Sequence, residues 1–327
     1  MKDYSHLLGR QEHTFNWKGI DNALIGRRVL VTGAGGTIGS SLVHYLLDTG
    51  VEFVGAVGHS ELPIFNLWES LPDKSRADKA IHDIGDTAAM HCLISDWAPD
   101  LILHAAAHKH VGLMEGQAET AFRNNTEATR NLAHVALQSG SVRRFVFIST
   151  DKAAQPTSVM GASKRLAEAI LRKDFYPFAT SCRFGNVLGS SGSLIEIVER
   201  KLARGETITI NDPGMRRFFI TAKEAVGLVL TAGLLEEGAL YSLDMGGLVS
   251  IMHVLAKLCP PDTKFEFGNP GSGEKLDEAI LGRDEYFRDT DTPAVREIVT
   301  PVIPRLEEAL ARVRERPETI VEEARNL

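Results

Sequence analysis

From Arg28 onward, short β-branched runs alternate with stretches whose apolar positions recur every three or four residues. RVLVTG, VEFVGAV, KAIHDI, LILHAAA, RFVFIST and TSCRFG read as buried strands. SSLVHYLLDTG, TAFRNNTEATRNLAHVALQSG and ASKRLAEAILRK read as helices. Strands alternating with helices predict βαβ units, a parallel sheet and right-handed crossovers, hence the α/β class.

Beyond about residue 186 this rhythm breaks into mixed short elements. Thr221 and Glu224 stand at capping-box spacing and start a helix in TAKEAVGLVLTAGLL. The tail PRLEEALARVRERPETIVEEARNL predicts one charged amphipathic helix lying on the surface. Residues 1–26 have no clear period and read as an arm ahead of the core. No internal repeat or low-complexity segment interrupts the chain.

VLVTGAGGTIGSSLVHYLL places Gly33, Gly36 and Gly39 between a buried strand and an amphipathic helix. In that setting the glycines permit a tight turn, close approach to a pyrophosphate and helix-on-sheet packing. The helix N-terminus then offers unpaired N–H groups to the phosphates, which brings in Thr37 and Ile38. The fold expected is therefore a Rossmann-type doubly wound parallel sheet with a smaller C-terminal substrate-binding subdomain. The expected boundaries are 27–186 for the nucleotide domain and 187–327 mainly for the substrate subdomain, with segments near 215–250 returning to the first. About 20 residues on, an acid would favour NAD and a base NADP. Gly58 occupies that place here, followed by His59, Ser60 and Glu61. The expectation is NAD, with NADP left open. Asp83 and Ile84 in HDIGD are placed for the adenine, although a turn Asp is an equal reading. Ala105 and Ala106, after the fourth strand, complete the cofactor set.

Composition narrows the class further. The 327 residues are 43% hydrophobic, enough for a large core, and carry a net charge of −7 with a pI of about 5.9. Nothing forms a basic face for nucleic acid. Cys92, Cys182 and Cys259 are odd in number and not metal-spaced, so reduced thiols are expected. The histidines lack ligand spacing, and no metal is expected. MKDYSHLLGR has no apolar signal core and no run of 18 apolar residues occurs, which predicts a cytoplasmic protein that does not span a membrane.

TGAGGTIGSSL, HAAAHKHVGLME, NNTEAT, FISTDKAAQPTSVMGASKRLAE, RFGNVLGSSGS, DPGMRRFFIT and GSGEKLDEAIL follow one another in order. Together they resemble the polysaccharide-biosynthesis branch of the extended short-chain dehydrogenases/reductases. More narrowly, they look like UDP-N-acetylglucosamine 4,6-dehydratases of the configuration-retaining type. The similarity runs from about residue 5 to 300. Gly58, His108 and Glu196 depart from the family pattern, which commonly has an acid, a tyrosine and a proline there.

The resemblance implies a definite chemistry. The fourth-carbon hydroxyl is oxidised, the fifth-carbon proton becomes acidic, and the sixth-carbon hydroxyl leaves. The hydride then returns to carbon six, so the NAD is regenerated and is expected to stay tightly bound. The protein must supply bases for the first two protons and an acid for the leaving hydroxyl. Asp151 and Lys152 stand at the end of a predicted strand, where open α/β sheets bind ligands. A buried Asp kept protonated and a desolvated, neutral Lys could serve as acid and base. Thr150 is expected to hydrogen-bond the fourth-carbon oxygen, and Lys164 to reach the nicotinamide ribose. Met160 stands where most short-chain dehydrogenases have their tyrosine, and a thioether carries no proton. Retaining dehydratases resemble this chain in that lack. Asp151, Lys152 or an ordered water is expected to take the tyrosine's part.

For the substrate, Arg183, Asn186 and Arg217 resemble nucleotide-sugar contacts, and an Arg can fork two phosphate oxygens. Lys109 and His110 are placed to touch the sugar, and Glu274 to close the nucleotide pocket. Asn125 resembles the family's supporting asparagine. The partners expected are a UDP-sugar and a second copy of the chain, through the helices at 124–140 and 163–173. A nucleotide-sugar 4-epimerase and a non-catalytic cofactor-binding protein stand as the alternatives.

Overall fold

The computed structural model describes residues 2–235, 239–301 and 305–327. Six strands arise where the pattern places them: β1 (Arg28–Thr32), β2 (Phe53–Gly58), β3 (Ala77–Ile81), β4 (Leu101–His104), β5 (Arg144–Ile148) and β6 (Ala179–Arg183). After α1 (Trp17–Leu24), the helices between them are α2 (Thr37–Leu47), α3 (Glu61–Ser70), α4 (Thr87–Trp97), the short α5 (Val111–Met114) and α6 (Ala118–Ala121), α7 (Ala128–Gln138) and α8 (Val159–Asp174). The helix expected at 120–140 is interrupted: a π-type turn, Phe122–Glu127, joins α6 to α7.

The C-terminal half adds β7 (Asn186–Val187), α9 (Leu194–Ala203), β8 (Ile208–Ile210), β9 (Arg216–Arg217), β10 (Phe219–Ile220), α10 (Ala222–Leu234) and β11 (Leu240–Leu243). It continues through β12 (Val249–Ser250), α11 (Ile251–Leu258), β13 (Phe265–Phe267), β14 (Tyr286–Asp289), β15 (Val295–Val299), α12 (Leu306–Glu315) and α13 (Ile320–Arg325). The main sheet runs β14-β15-β11-β6-β5-β4-β1-β2-β3. It is parallel from β3 to β11 and antiparallel beyond. The strand order reverses between β1 and β4, which opens a ligand crevice at their C-terminal ends. Short two-stranded pairs (β7 with β10, β9 with β12, β8 with β13) build the smaller lobe over that crevice.

One apolar cluster joins α1, α2 and α10 to one sheet face, and a second joins α4, α7 and α8 to the other. A third holds the smaller lobe. Thr221 and Glu224 form the reciprocal capping box that starts α10.

Three expectations change. The N-terminal stretch is built into the fold: Leu7 and Leu8 are buried in the third cluster, and Arg10 grips the buried Glu224 at 2.6 Å. The tail is not one surface helix, because Pro317 cannot donate the next backbone bond and splits it into α12 and α13. Its first expected residue, Pro304, lies outside the described residues. Leu306, Leu310, Val313, Ile320 and Ala324 pack with Leu166 and Ile170 of α8. Residues 159–171 of α8 are consequently all buried within one chain. The face expected to meet a second subunit through residues 163–173 is covered by the chain's own C-terminal helices.

Candidate active site

The glycine turn occupies the crevice. Gly33 has φ +65°, and a β-carbon there would lie 2.6 Å from the Ala106 nitrogen. A β-carbon on Gly39 would lie 2.2 Å from the Gly33 oxygen. The turn thus presses against residues 105–106 and against its own helix, as a side chain would prevent. Gly36 is the N-cap of α2 with no side-chain capping bond, so the helix amides at Thr37 and Ile38 remain available to an anion. Ile38 packs partly on the core, while the Thr37 hydroxyl lies 3.3 Å from Ser191 Oγ. Ala105 donates to the Thr32 carbonyl, and Ala106 to the Thr32 hydroxyl.

Further along the crevice, exposed His59 contacts Ser60 Oγ at 3.0 Å at the start of α3. Asp83 accepts from the Gly85 amide at 2.8 Å and forms a turn, and Ile84 is buried in the core. These residues fit a dinucleotide: a side-chain-free cradle, an uncapped helix N-terminus and Lys164 at the far end.

Lys164 lies one helical turn after Met160, on α8. Its ammonium sits 3.9 Å from the Phe147 ring centroid. Burial lowers its pKa to about 7, against the opposing pull of the Glu168 carboxylate. The sequence reading passed over His104. Buried between Thr32 Oγ1 (2.6 Å) and Thr129 Oγ1 (2.9 Å), it bolts β1, β4 and α7 together beneath the crevice. Burial lowers its pKa to about 3, and nearby Lys164 acts in the same direction.

After β5 the chain turns sharply at residues 151–153. Thr150 caps the turn, and its hydroxyl donates to Asp151 Oδ1 at 2.9 Å. Asp151 is wholly buried. Lys152 Nζ donates to Asp151 Oδ1 at 3.0 Å and to Asn186 Oδ1 at 3.1 Å, and lies 3.6 Å from Glu278 Oε1. Burial pulls the Lys152 pKa down, but Asp151 and Glu278 outweigh it and hold the pKa above its ordinary value. This corrects the expectation of a neutral Lys152: in the resting site it keeps its proton.

Glu278 is an addition that the sequence reading did not single out, and Lys275 lies against it. Lys275 Nζ lies 3.5 Å from Glu278 Oε2, and burial lowers its pKa. Asp151 Oδ2, Glu278 Oε2 and Lys275 Nζ are buried without a hydrogen-bond partner. Glu278 Oε2 and Lys275 Nζ face each other as an ion pair, so of the three it is Asp151 Oδ2 that stands without a partner, and it marks where a ligand's polar group belongs. GSGEKLDEAIL contains both residues, but its spacing gives no sign that it folds back beside the turn carrying Asp151.

Met160 is 4% exposed and packs at the start of α8 behind Ser158, the N-cap. Asn125 is fully buried: its oxygen accepts from the His108 amide, and its amide donates to the His108 carbonyl and Ser163 Oγ. It braces the loop carrying Lys109 and His110 and has no surface for a substrate. Lys109 Nζ reaches the Ser191 carbonyl at 2.6 Å, and burial lowers the pKa of both Lys109 and His110.

Arg183 requires a correction. It is 0% exposed, and its guanidinium is taken up by Glu168 (2.6 Å), Glu285 (2.6 Å) and the Ile280 carbonyl. It locks α8 to the segment after Glu278 and cannot reach a diphosphate. Arg217 is 7% exposed, donates to the carbonyls of Arg216 and Leu276, and faces Lys152 electrostatically. Glu274 accepts from Asn211 and the Gly271 amide in the loop beside β8.

Among the described residues, no group of three or more His, Cys, Asp or Glu is arranged to hold a metal, and no helix is long and apolar enough to cross a membrane.

Residues 29–300 match the family model described as polysaccharide biosynthesis protein. The probable polysaccharide biosynthesis protein EpsC of Bacillus subtilis (strain 168) is 37% identical over 303 residues, which is 88% of this chain and 50% of that protein. The chain spans about half the length of the first curated relatives it matches. An inverting UDP-N-acetylglucosamine 4,6-dehydratase of Campylobacter jejuni is 25% identical, covering 80% of this chain and 79% of its own. A UDP-glucose 4-epimerase of Rickettsia conorii is 28% identical, covering 82% and 81%. Among solved structures, Pen from Bacillus thuringiensis aligns with a TM-score of 0.74 at 27% identity, over 90% of this chain and 98% of its own. The dTDP-glucose 4,6-dehydratase DesIV of Streptomyces venezuelae, at 23% identity, shares the fold with a TM-score of 0.68 over 78% and 88%. The doubly wound sheet, the glycine turn and these matches agree: the chain belongs to the polysaccharide-biosynthesis family of extended short-chain dehydrogenases/reductases, alongside nucleotide-sugar dehydratases and epimerases.

Proposed function

We propose that this chain is a nucleotide-sugar 4,6-dehydratase acting on UDP-N-acetylglucosamine. The carrying observation is the buried Asp151–Lys152 pair at the end of β5, with an orphaned carboxylate oxygen, beside a position occupied by Met160. An elimination across carbons five and six needs a proton acceptor and a proton donor side by side. A 4-epimerase has no use for such a pair, and a binding protein has no use for the unpartnered Asp151 oxygen. The similarity to a UDP-N-acetylglucosamine 4,6-dehydratase supports the same reading.

A nicotinamide dinucleotide, when bound, supplies a reversible hydride acceptor. We assign it to the glycine turn, with Thr37, Ile38, His59, Ser60, Asp83, Ile84, Ala105 and Ala106 along its length and Lys164 at the ribose. NAD is the preferred form, with NADP open at Gly58. Thr150 orients the sugar's fourth-carbon oxygen toward Asp151. Asn186 and Asp151 fix the Lys152 ammonium in place. Arg217, Lys109, His110 and Glu274 line the approach for the diphosphate, sugar and nucleotide.

The test is incubation with UDP-N-acetylglucosamine in deuterated water, read by mass and proton NMR. The expected product has lost one water and carries deuterium at carbon five. Unchanged mass with an inverted fourth carbon would replace this reading with epimerisation. Cofactor retention without turnover of any nucleotide sugar would replace it with a binding role.

A further inference from the structure

We propose that Glu278 is the positioning residue that takes a proton from Lys152 and so lets Lys152 act as the base at carbon five. The inference rests on the dehydratase reading and goes beyond it.

It begins with a count of protons. In the resting site Lys152 is an ammonium, held by Asp151 at 3.0 Å and Glu278 at 3.6 Å. With a nicotinamide dinucleotide in the glycine turn to supply the hydride acceptor, oxidation at carbon four would break the O–H bond and release its proton to Asp151. Asp151 is then protonated and can act as the acid for the leaving hydroxyl. No base remains for the fifth-carbon proton, because Lys152 is still charged. A tyrosine at position 160 would have accepted the first proton and left Asp151 free, but Met160 cannot. The Asp151–Lys152 pair is one acceptor short.

Glu278 fills that deficit by geometry. It is 6% exposed, with one oxygen 3.6 Å from Lys152 Nζ and the other 3.5 Å from Lys275 Nζ. The charged groups around it are Lys152 from the turn after β5, Lys275 from its own loop and, facing Lys152, Asp151 and Arg217. As the sugar binds, one N–H bond of Lys152 breaks and an O–H bond forms on Glu278. Lys152 then removes the carbon-five proton as the C6–O bond breaks, and the leaving oxygen takes the proton from Asp151. As carbon six is reduced, Lys152 gives its proton back to carbon five, and Glu278 returns its own to Lys152. The site ends unchanged, the substrate has lost one water, and no outside reactant is needed.

The experiment uses the full chain with Glu278→Gln and Glu278→Asp. Gln keeps the volume and cannot accept a proton. Deuterium wash-in at carbon five and water loss are expected to fall on the order of 100-fold in Glu278→Gln, with KM little changed and the rate rising with pH as solvent takes over deprotonation. Glu278→Asp should retain the wild-type pH profile and most of the rate. Independently of turnover, trace acetylation followed by mass spectrometry reads the titration of Lys152. In Glu278→Gln this lysine should become reactive at lower pH, because one of its two anions is gone. A wild-type rate and pH profile in Glu278→Gln, or an unaltered Lys152 titration, would overturn the proposal. If wild-type protein dehydrates no nucleotide sugar, the functional reading fails on its own, and the acetylation result still decides whether Glu278 governs Lys152.

Discussion

Gly161 packs so tightly on the Lys152 carbonyl that a β-carbon at position 161 would lie 2.4 Å from that oxygen. The first turn of α8 and the turn carrying Asp151 and Lys152 are therefore seated on one another. Alanine inside a helix normally gains about 1 kcal/mol over glycine. Here Gly161→Ala is expected to lose about 1–3 kcal/mol, the cost of overpacking, and to lower kcat at least tenfold. Chemical denaturation and turnover of the same preparation check both effects.

Lys164 gives a pH signature. Its folded pKa, lowered to about 7 by burial, lies below its ordinary value of 10.5. Between those values the unfolded chain holds a proton that the folded chain does not, so stability rises with pH across that window. The slope from this residue approaches ~1.4 kcal/mol per pH unit. Lys164→Met should flatten the rise, as seen by urea unfolding at about pH 6 and about pH 9 in cofactor-free protein.

Met160 fills space and carries no proton. Met160→Leu, a volume-conserving exchange, is expected to cost under about 1.5 kcal/mol and to leave turnover within a few-fold of wild type. A loss of about 100-fold would give the thioether a role that packing does not explain.

Arg183 separates architecture from substrate contact. Arg183→Met leaves Glu168 and Glu285 with Arg165 as their remaining shared cation, and should cost about 3–5 kcal/mol. In whatever fraction remains folded, KM for the nucleotide sugar should be unchanged. A large rise in KM would restore Arg183 as a phosphate contact.

Gly33→Ala tests the cradle. The strained φ and the approach to Ala106 forbid a β-carbon, so binding of a nicotinamide dinucleotide, measured by calorimetry, is expected to weaken by at least tenfold.

The sequence exposed what is local and periodic. β1 to β6, the glycine turn and the Thr221 cap each depend on neighbours a few residues away, and each formed where its pattern lay. What distant segments decide was hidden. Arg183 looks like a phosphate ligand until Glu285, 102 residues later, is found against it. Glu278 looks like one more charge in a loop until that loop returns to Lys152. The tail reads as amphipathic and polar, but only the fold reveals that its apolar stripe has α8 to cover.

That cover has a consequence for how the protein is made. α8 carries Lys164 and is complete by residue 174, whereas its outer wall comes from residues 306–325. On the ribosome, Leu166 and Ile170 must wait for some 130 further residues before their side of the helix is shielded from water. During that interval the half-finished nucleotide domain presents a greasy flank, so a nascent chain stalled before residue 306 should be a ready client for a holding chaperone.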